Sequence, residues 1–210
     1  MNTRIIIGIS GASGAIYAVK LIETLFIHKI QIHIVISEIG AKVFAHELNI
    51  RQEDIPGFFP RMHGKGETGG EVIIHDSNDM FAPIASGSFP AAAMVIIPCS
   101  MKTLAAVAAG YTANLLERAA DVTLKERRPL ILVTRETPLS RIHLKNMIAA
   151  HDAGATIMPA SPGFYNHPQS IDDLAAFITG RVLNHLKIDN SCSPAWGETD
   201  SLPSISSSRE

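Results

Sequence analysis

The sequence predicts an open, doubly wound α/β sheet, mostly parallel, in one domain spanning residues 1–190. Three patterns predict it. Short, almost wholly apolar runs recur along the chain, as strands buried on both faces require. Amphipathic stripes with helical spacing alternate with them. Hydroxyls and glycines collect in the loops that follow the runs. In order, residues 4–10 (RIIIGIS) form the first strand, and Gly11-Ala12-Ser13-Gly14 breaks it. Residues 15–28 carry Ile16, Val19, Leu21, Ile22, Leu25 and Phe26 on one helical stripe. Residues 30–37 (IQIHIVIS) are the second strand and 39–48 the second helix. Residues 49–70, rich in proline and glycine, are expected as loop. A third strand covers 71–75, a buried strand 94–98 (MVIIP), a helix 114–127 and another buried strand 129–134. A helix over 140–153 with Gly154 at its C-terminus, a short strand over 155–158 and a helix over 170–186 complete the pattern. Residues 191–210 hold seven serines and two prolines, and are expected as a partly mobile tail anchored by Trp196.

Composition narrows the function. With 46% apolar and 18% charged residues, the chain is too apolar for disorder. A formal charge of −2 gives it no electrostatic claim on nucleic acid or an anionic membrane. Two cysteines, Cys99 and Cys192, make no disulfide scaffold, and the N-terminus lacks a signal-peptide pattern, so a cytoplasmic location is expected. No apolar run approaches the ~20 residues that span a bilayer. The high apolar share implies either a large core or a surface buried against something else.

In doubly wound sheets ligands bind beyond the carboxyl ends of the strands. There the sequence places Ser10, Gly11 and Ser13, then Ser37, then Cys99, Ser100, Lys102 and Thr103, then Arg135 and Glu136, then Ser161, Gly163, Tyr165 and Asn166. The glycines run G-x-x-G-x-x-G, off the spacing of the dinucleotide fingerprint, and Ser37-Glu38 only weakly suggests a ribose-binding acid. Bare amides before a helix still favour an anion, with phosphate as the guest, unless the loop is a tight turn capped by Ser13. Arg118 and Lys125 share a helix face. With Glu117 and an Asp121–Lys125 pair they equally make a solvated, salt-bridged surface. Arg181, mid-helix, reads as a surface charge. Cys99 reads as a packed, inert thiol. Nine scattered histidines show no metal-ligand spacing. His46-Glu47 lacks the second histidine of a zinc helix, and Asp172-Asp173 after Ser170 is ordinary capping.

Several segments together resemble one family. They are Gly11-Ala12-Ser13-Gly14, Ala85-Ser86-Gly87-Ser88, residues 98–103 (PCSMKT), 117–129 (ERAADVTLKERRP), 135–138 (RETP), 158–165 (MPASPGFY) and 196–198 (WGE). On these the chain looks like a UbiX-type flavin prenyltransferase. The resemblance implies a Rossmann-like or flavodoxin-like sheet and a homododecamer without a metal. It implies transfer of a dimethylallyl group from dimethylallyl monophosphate to N5 and then C6 of reduced FMN, for use by a UbiD-type decarboxylase. It assigns flavin contacts to Gly11, Ala12, Ser13, Ser37, Ser100, Met101, Lys102, Thr103 and Arg135. It assigns the substrate phosphate to Lys125, Glu136, Tyr165 and Arg181, with Ser13 near it and Arg118 as a flavin-phosphate or interface-side cation. It gives Glu47 a part in ring closure, so that Glu136, Glu47, Ser13 and Lys125 are the expected catalytic set. Met80 stands where many members have an aromatic residue.

Two other readings compete. A flavin-dependent cysteine decarboxylase of similar fold would carry a Pro-x-Met-Asn segment, which is absent. A non-catalytic FMN-binding oligomer has no need of a second phosphate site. A nicotinamide dehydrogenase is disfavoured by the off-register glycines.

Overall fold

The computed structural model describes residues 3–61 and 69–192; the expected tail and Trp196 lie outside them. Among the described residues, six strands form one sheet in the order β3-β2-β1-β4-β5-β6. They are β1 (Arg4–Ile9), β2 (Gln31–Ile36), β3 (Val72–His75), β4 (Ala93–Cys99), β5 (Leu130–Thr134) and β6 (Thr156–Pro159). Every pairing is parallel, so the expected mostly parallel sheet is parallel throughout. The order is that of the Rossmann fold rather than of flavodoxin. The chain runs outward from β1 to β3, then returns to β4 on the other side of β1. The crevice beyond the β1 and β4 carboxyl ends is therefore the switch point where such sheets bind ligands.

Alternation along the strands fills two cores. Ile5, Ile7 and Ile9 face one side, with Val95, Ile97, Ile131 and Val133. Helices α1 (Ala15–Ile27), α2 (Glu38–Glu47), α3 (Ile55–Arg61) and α7 (Ile171–His185) contribute to that core. Ile6, Met94, Ile96, Leu130 and Leu132 face the other side. There α4 (Met101–Ala109), α5 (Leu115–Lys125) and α6 (Arg141–Asp152) pack. Two helices escape the sequence pattern. Residues 49–70 are not all loop: a 3-10 turn at Gln52–Asp54 leads into α3. Pro56 is tolerated because it sits in the first turn of that helix. The alanine-rich α4 shows little polar punctuation. Gly154, in the left-handed region at φ 109°, follows the C-cap Ala153 of α6 as expected.

Five helices start on a side-chain cap: Ser37, Ser100, Asn114, Ser140 and Ser170. Helix α1 does not; its N-cap is Gly14, at φ 114°. Close packing at the first two strand ends depends on Gly40. A Cβ there would stand 2.6 Å from the Ile9 carbonyl oxygen. Gly40→Ala is expected to cost about 1–3 kcal/mol, as overpacking does. A urea midpoint equal to that of the wild type would refute this.

A histidine pair, His33 buried and His75 half-buried, crosses β2 and β3. His33 Nδ1 lies 2.9 Å from His75 Nε2, and the rings stack. Burial, His75 and Arg4 push the His33 imidazole down to about 4, against a small opposing effect of Glu71. An unfolded histidine titrates near 6.5, so between those values the unfolded chain binds the extra proton. Stability from this site is complete above pH 6.5 and is lost as pH falls towards 4, by roughly 3 kcal/mol. A His33→Gln variant should show a shallower acid loss in urea titrations; an unchanged pH slope would exclude the pair as its source.

Helix α6 buries only Ala150, leaving Ile142, Leu144 and Ile148 at 68%, 47% and 62% exposure.

Candidate active site

Three capped helix N-termini converge on a cavity of about 440 Å³ beyond β1, β2, β3 and β4. Ser37 caps α2 by accepting the Gly40 N–H at 3.0 Å. Ser100 caps α4 by accepting the Thr103 N–H at 3.3 Å, and its hydroxyl bonds Thr103 Oγ1 at 3.2 Å. Asn114 caps α5 by accepting the Glu117 N–H at 3.0 Å. The positive ends of three helices thus face one space, which suits an anionic or electron-rich ligand. Gly11 lines it beside Ile39; a Cβ on Gly11 would come within 2.6 Å of the Ile39 side chain.

Of the expected flavin residues, Gly11, Ser37, Ser100, Lys102 and Thr103 line this cavity. Met101 does not: its side chain is 8% exposed and belongs to the core under α4. Ala12 is also buried. Ser10 proves to be a brace rather than a ligand. Its hydroxyl donates to the Pro98 carbonyl at 2.9 Å and accepts the Ser100 N–H at 2.7 Å, tying β1 to β4.

Ser13, Glu47 and Arg135 meet at the N-terminus of α1. The Glu47 carboxylate accepts the Gly14 N–H at 3.0 Å and the Ala15 N–H at 2.7 Å. Desolvation pushes its pKa up. Hydrogen bonds from the Ser13 side chain and the Ala15 and Gly14 amides, with the charge of Arg135, outweigh this and hold it below the ordinary value. The expectation of an external phosphate on bare amides therefore needs correction, because the anion at α1 is the chain's own Glu47. Ser13 is not the helix cap either. Tyr17, which the sequence pattern does not single out, stands in the same corner; burial raises its pKa and the nearby Arg135 partly offsets that.

A smaller cavity of about 270 Å³ opens beyond β5 and β6, lined by Thr134, Arg135, Glu136, Thr137 and Ser161 among others. The Glu136 carboxylate accepts the Thr137 N–H at 3.0 Å. Thr134 Oγ1 is buried and without a hydrogen-bond partner. Tyr165 packs edge-on against Phe177, with ring centroids 5.7 Å apart. Phe177 and Arg181 are one turn apart on α7, so Tyr165 and Arg181 belong to the same side of the helix.

Lys125 is not brought to this set. It lies at the C-terminus of α5, paired with Glu126, beside Arg127 and Arg128. That end of α5 adjoins the start of β5, a strand of five residues, roughly 15 Å from Glu136 at the other end. The expected Asp121–Lys125 pair is not made. Asp121 takes Arg118 at 2.7 Å, and Arg118 also donates to the Ala85 carbonyl at 3.2 Å. Glu117 departs most from expectation: read as part of a solvated face, it is 2% exposed and pairs with Lys102. Its signal was in the sequence, since Asn114-x-x-Glu117 is the spacing of a capping box. Cys99 is buried, and burial pushes its thiol up to about 12, which leaves no thiolate for nucleophilic work. Asp172 pairs with Lys20, and Asp173 caps α7 with Ser170, as capping predicted. Among the described residues no helix is long and apolar enough to cross a membrane.

A Rossmann-ordered sheet whose switch point is ringed by helix N-termini and hydroxyls defines a nucleotide-binding α/β protein, and residues 1–183 match the Flavoprotein family. The chain is 46% identical to the flavin prenyltransferase UbiX of Halalkalibacterium halodurans over 192 residues, 91% of this chain and 92% of that one. It is 46% identical to the flavin prenyltransferase UbiX of Pseudomonas aeruginosa over 197 residues, 93% and 94% of the two chains. Among solved structures it resembles AnUbiX (PadA1) in complex with FMN and dimethylallyl pyrophosphate. The TM-score is 0.85 and the identity 38%, over 95% of this chain and all of that one. It also resembles the dodecameric FMN-dependent UbiX-like decarboxylase of Escherichia coli O157:H7, with TM-score 0.82 and 37% identity over 92% and 99%. The chain belongs to the UbiX family of flavin prenyltransferases.

Proposed function

We propose that the chain transfers a dimethylallyl group from dimethylallyl monophosphate to reduced FMN, and that the product serves a UbiD-type decarboxylase. The observation that carries the reading is the pairing of two unlike sites at neighbouring strand ends. One is a roomy cavity ringed by α2, α4 and α5, and the other a small cavity bearing Arg135 and Glu136. The residues present fit FMN. The larger cavity is within the volume range of ligand pockets, and combines apolar Ile39 and Leu116 with Ser37, Ser100, Thr103, Asn114 and Lys102. Reduced FMN supplies the nucleophilic N5, and then C6, at which the allyl group is captured.

The chain's own residues manage the phosphate and the protons. As the allylic C–O bond breaks, its electron pair leaves with the phosphate. Arg135, Arg181 and Tyr165 stabilise that charge, and Glu136 delivers a proton to it, while the Ser13 hydroxyl stays on Glu47. When C6 loses its proton, the released phosphate is a stronger base than Glu47, whose carboxylate is held below its ordinary pKa by the amides of α1. Glu47 therefore serves chiefly to fix Ser13 and the start of α1.

Lys125 and Arg118 join this set from a second copy. Within one chain Lys125 lies at the wrong end of β5. The uncovered apolar residues of α6 and the 46% apolar composition favour an assembly in which such faces are buried. A dodecamer like that of the Escherichia coli relative is the assembly we infer.

Anaerobic incubation with reduced FMN and dimethylallyl monophosphate, followed by mass spectrometry of the released flavin, tests the reading. A gain of one dimethylallyl unit is expected. Unmodified FMN released from folded, flavin-loaded protein would refute it.

A further inference from the structure

We propose that Glu117 is a positioning residue for the flavin, fixing the ammonium of Lys102 at the wall of the larger cavity. The proposal rests on the reading of that cavity as the flavin site. Its basis is a buried charge that capping alone does not explain. The Glu117 side chain is 1% exposed, whereas that of Lys102 is 68% exposed. Taking a carboxylate out of water is costly unless it is paired. One oxygen serves the helix start. Oε2 accepts the Ala113 N–H at 2.8 Å, while Asn114 accepts the Glu117 N–H in return. A glutamine would serve that cap equally well, through its amide oxygen. The other oxygen, Oε1, is what requires a carboxylate, and it takes Lys102 Nζ.

The pair also joins two cavity walls. Lys102 is in the first turn of α4 and Glu117 in the first turn of α5. Both residues line the cavity. An untethered lysine spreads its charge over many rotamers and loses that freedom on binding a ligand. Anchored on a buried carboxylate, Lys102 has already lost it, and two of its three N–H donors are left over from the Glu117 bond. The exposed ammonium is the outer member of the pair, so the cavity meets the cation before the anion. Glu117 thus makes a mobile surface charge into a fixed donor.

Glu117→Gln and the double variant Glu117→Gln/Lys102→Met test this. Both avoid a buried, unpaired carboxylate, which Lys102→Met alone would leave. FMN affinity is measured by quenching of flavin fluorescence, with melting temperature and the visible absorption of bound FMN as separate readouts. Each variant is expected to bind FMN about tenfold more weakly than the wild type. The two should agree within about twofold, because Lys102 contributes little once it is released. Their bound-flavin spectra should differ from the wild-type spectrum in the same way, and the melting temperature of Glu117→Gln should be unchanged. Wild-type affinity in Glu117→Gln would overturn the proposal. So would a further tenfold loss on adding Lys102→Met, since Lys102 would then act without its anchor. If the wild type itself quenches no FMN, the flavin reading fails, and this proposal with it.

Discussion

Replacing Glu136 by glutamine is expected to slow prenyl transfer about 100-fold or more, the usual worth of a general acid, while leaving FMN affinity unchanged. Glutamine keeps an acceptor for the Thr137 N–H, which Glu136 now holds at 3.0 Å, so the loop after β5 keeps its shape. It has no acidic proton to give a departing phosphate. Glu136 belongs to the smaller cavity and not to the larger one, so flavin binding has no reason to change. Monophosphate is a poor leaving group as a dianion, and the loss should fall on the chemical step. Single-turnover formation of prenylated flavin reads that step directly. Equal rates for the two proteins would remove Glu136 from the mechanism.

Lys125→Met is expected to depress transfer by about 100- to 1,000-fold, the scale of losing one preorganised charge at a transition state. The claim is severe because, within one chain, Lys125 lies roughly 15 Å from Glu136, at the opposite end of β5. It follows only if a second copy supplies it. Mixing therefore gives the sharper experiment. Oligomers refolded from Lys125→Met and Glu136→Gln subunits together should regain part of the activity that each lacks alone. Some sites will then draw an intact Glu136 from one subunit and an intact Lys125 from the other. Mixed oligomers as inactive as their parents would refute a site shared between two copies, and full activity of Lys125→Met alone would remove Lys125 from it.

Much of this was readable in the sequence, for definite reasons. Strands such as residues 94–98 are apolar on both faces, and a parallel sheet covered by alternating helices accounts for that. The strand-end rule found Ser37, Ser100, Lys102 and Arg135 without any knowledge of side-chain positions. It failed where a residue's neighbours come from far along the chain. Glu47 looks like the tail of a solvated helix until α2 is folded against α1 and its carboxylate meets Gly14. Glu117 was misread because charges spaced three and four apart usually mark a wet face. Here the same spacing includes the Asn114 cap, with Glu117 turned inward onto the Ala113 N–H and Lys102. Helix α4 escaped because alanine carries no periodicity, and α3 because Pro56 and Gly57 look like loop. The position of Lys125 was in principle legible. A helix that follows one parallel strand and precedes another must end at the far edge of the sheet.

The seat of Glu47 on α1 has a consequence for selectivity. A carboxylate tethered to the chain competes for the α1 amides at an effective concentration of order millimolar or higher, whatever the solution contains. Dilute free anions that meet the protein one at a time must displace a competitor that never diffuses away. They find the strongest local dipole already satisfied. On the function proposed above, the phosphorylated donor would then be recognised by its whole shape, through Arg135, Tyr165 and Arg181, rather than by charge alone. The internal acid acts as a filter, turning a general anion trap into a site that discriminates.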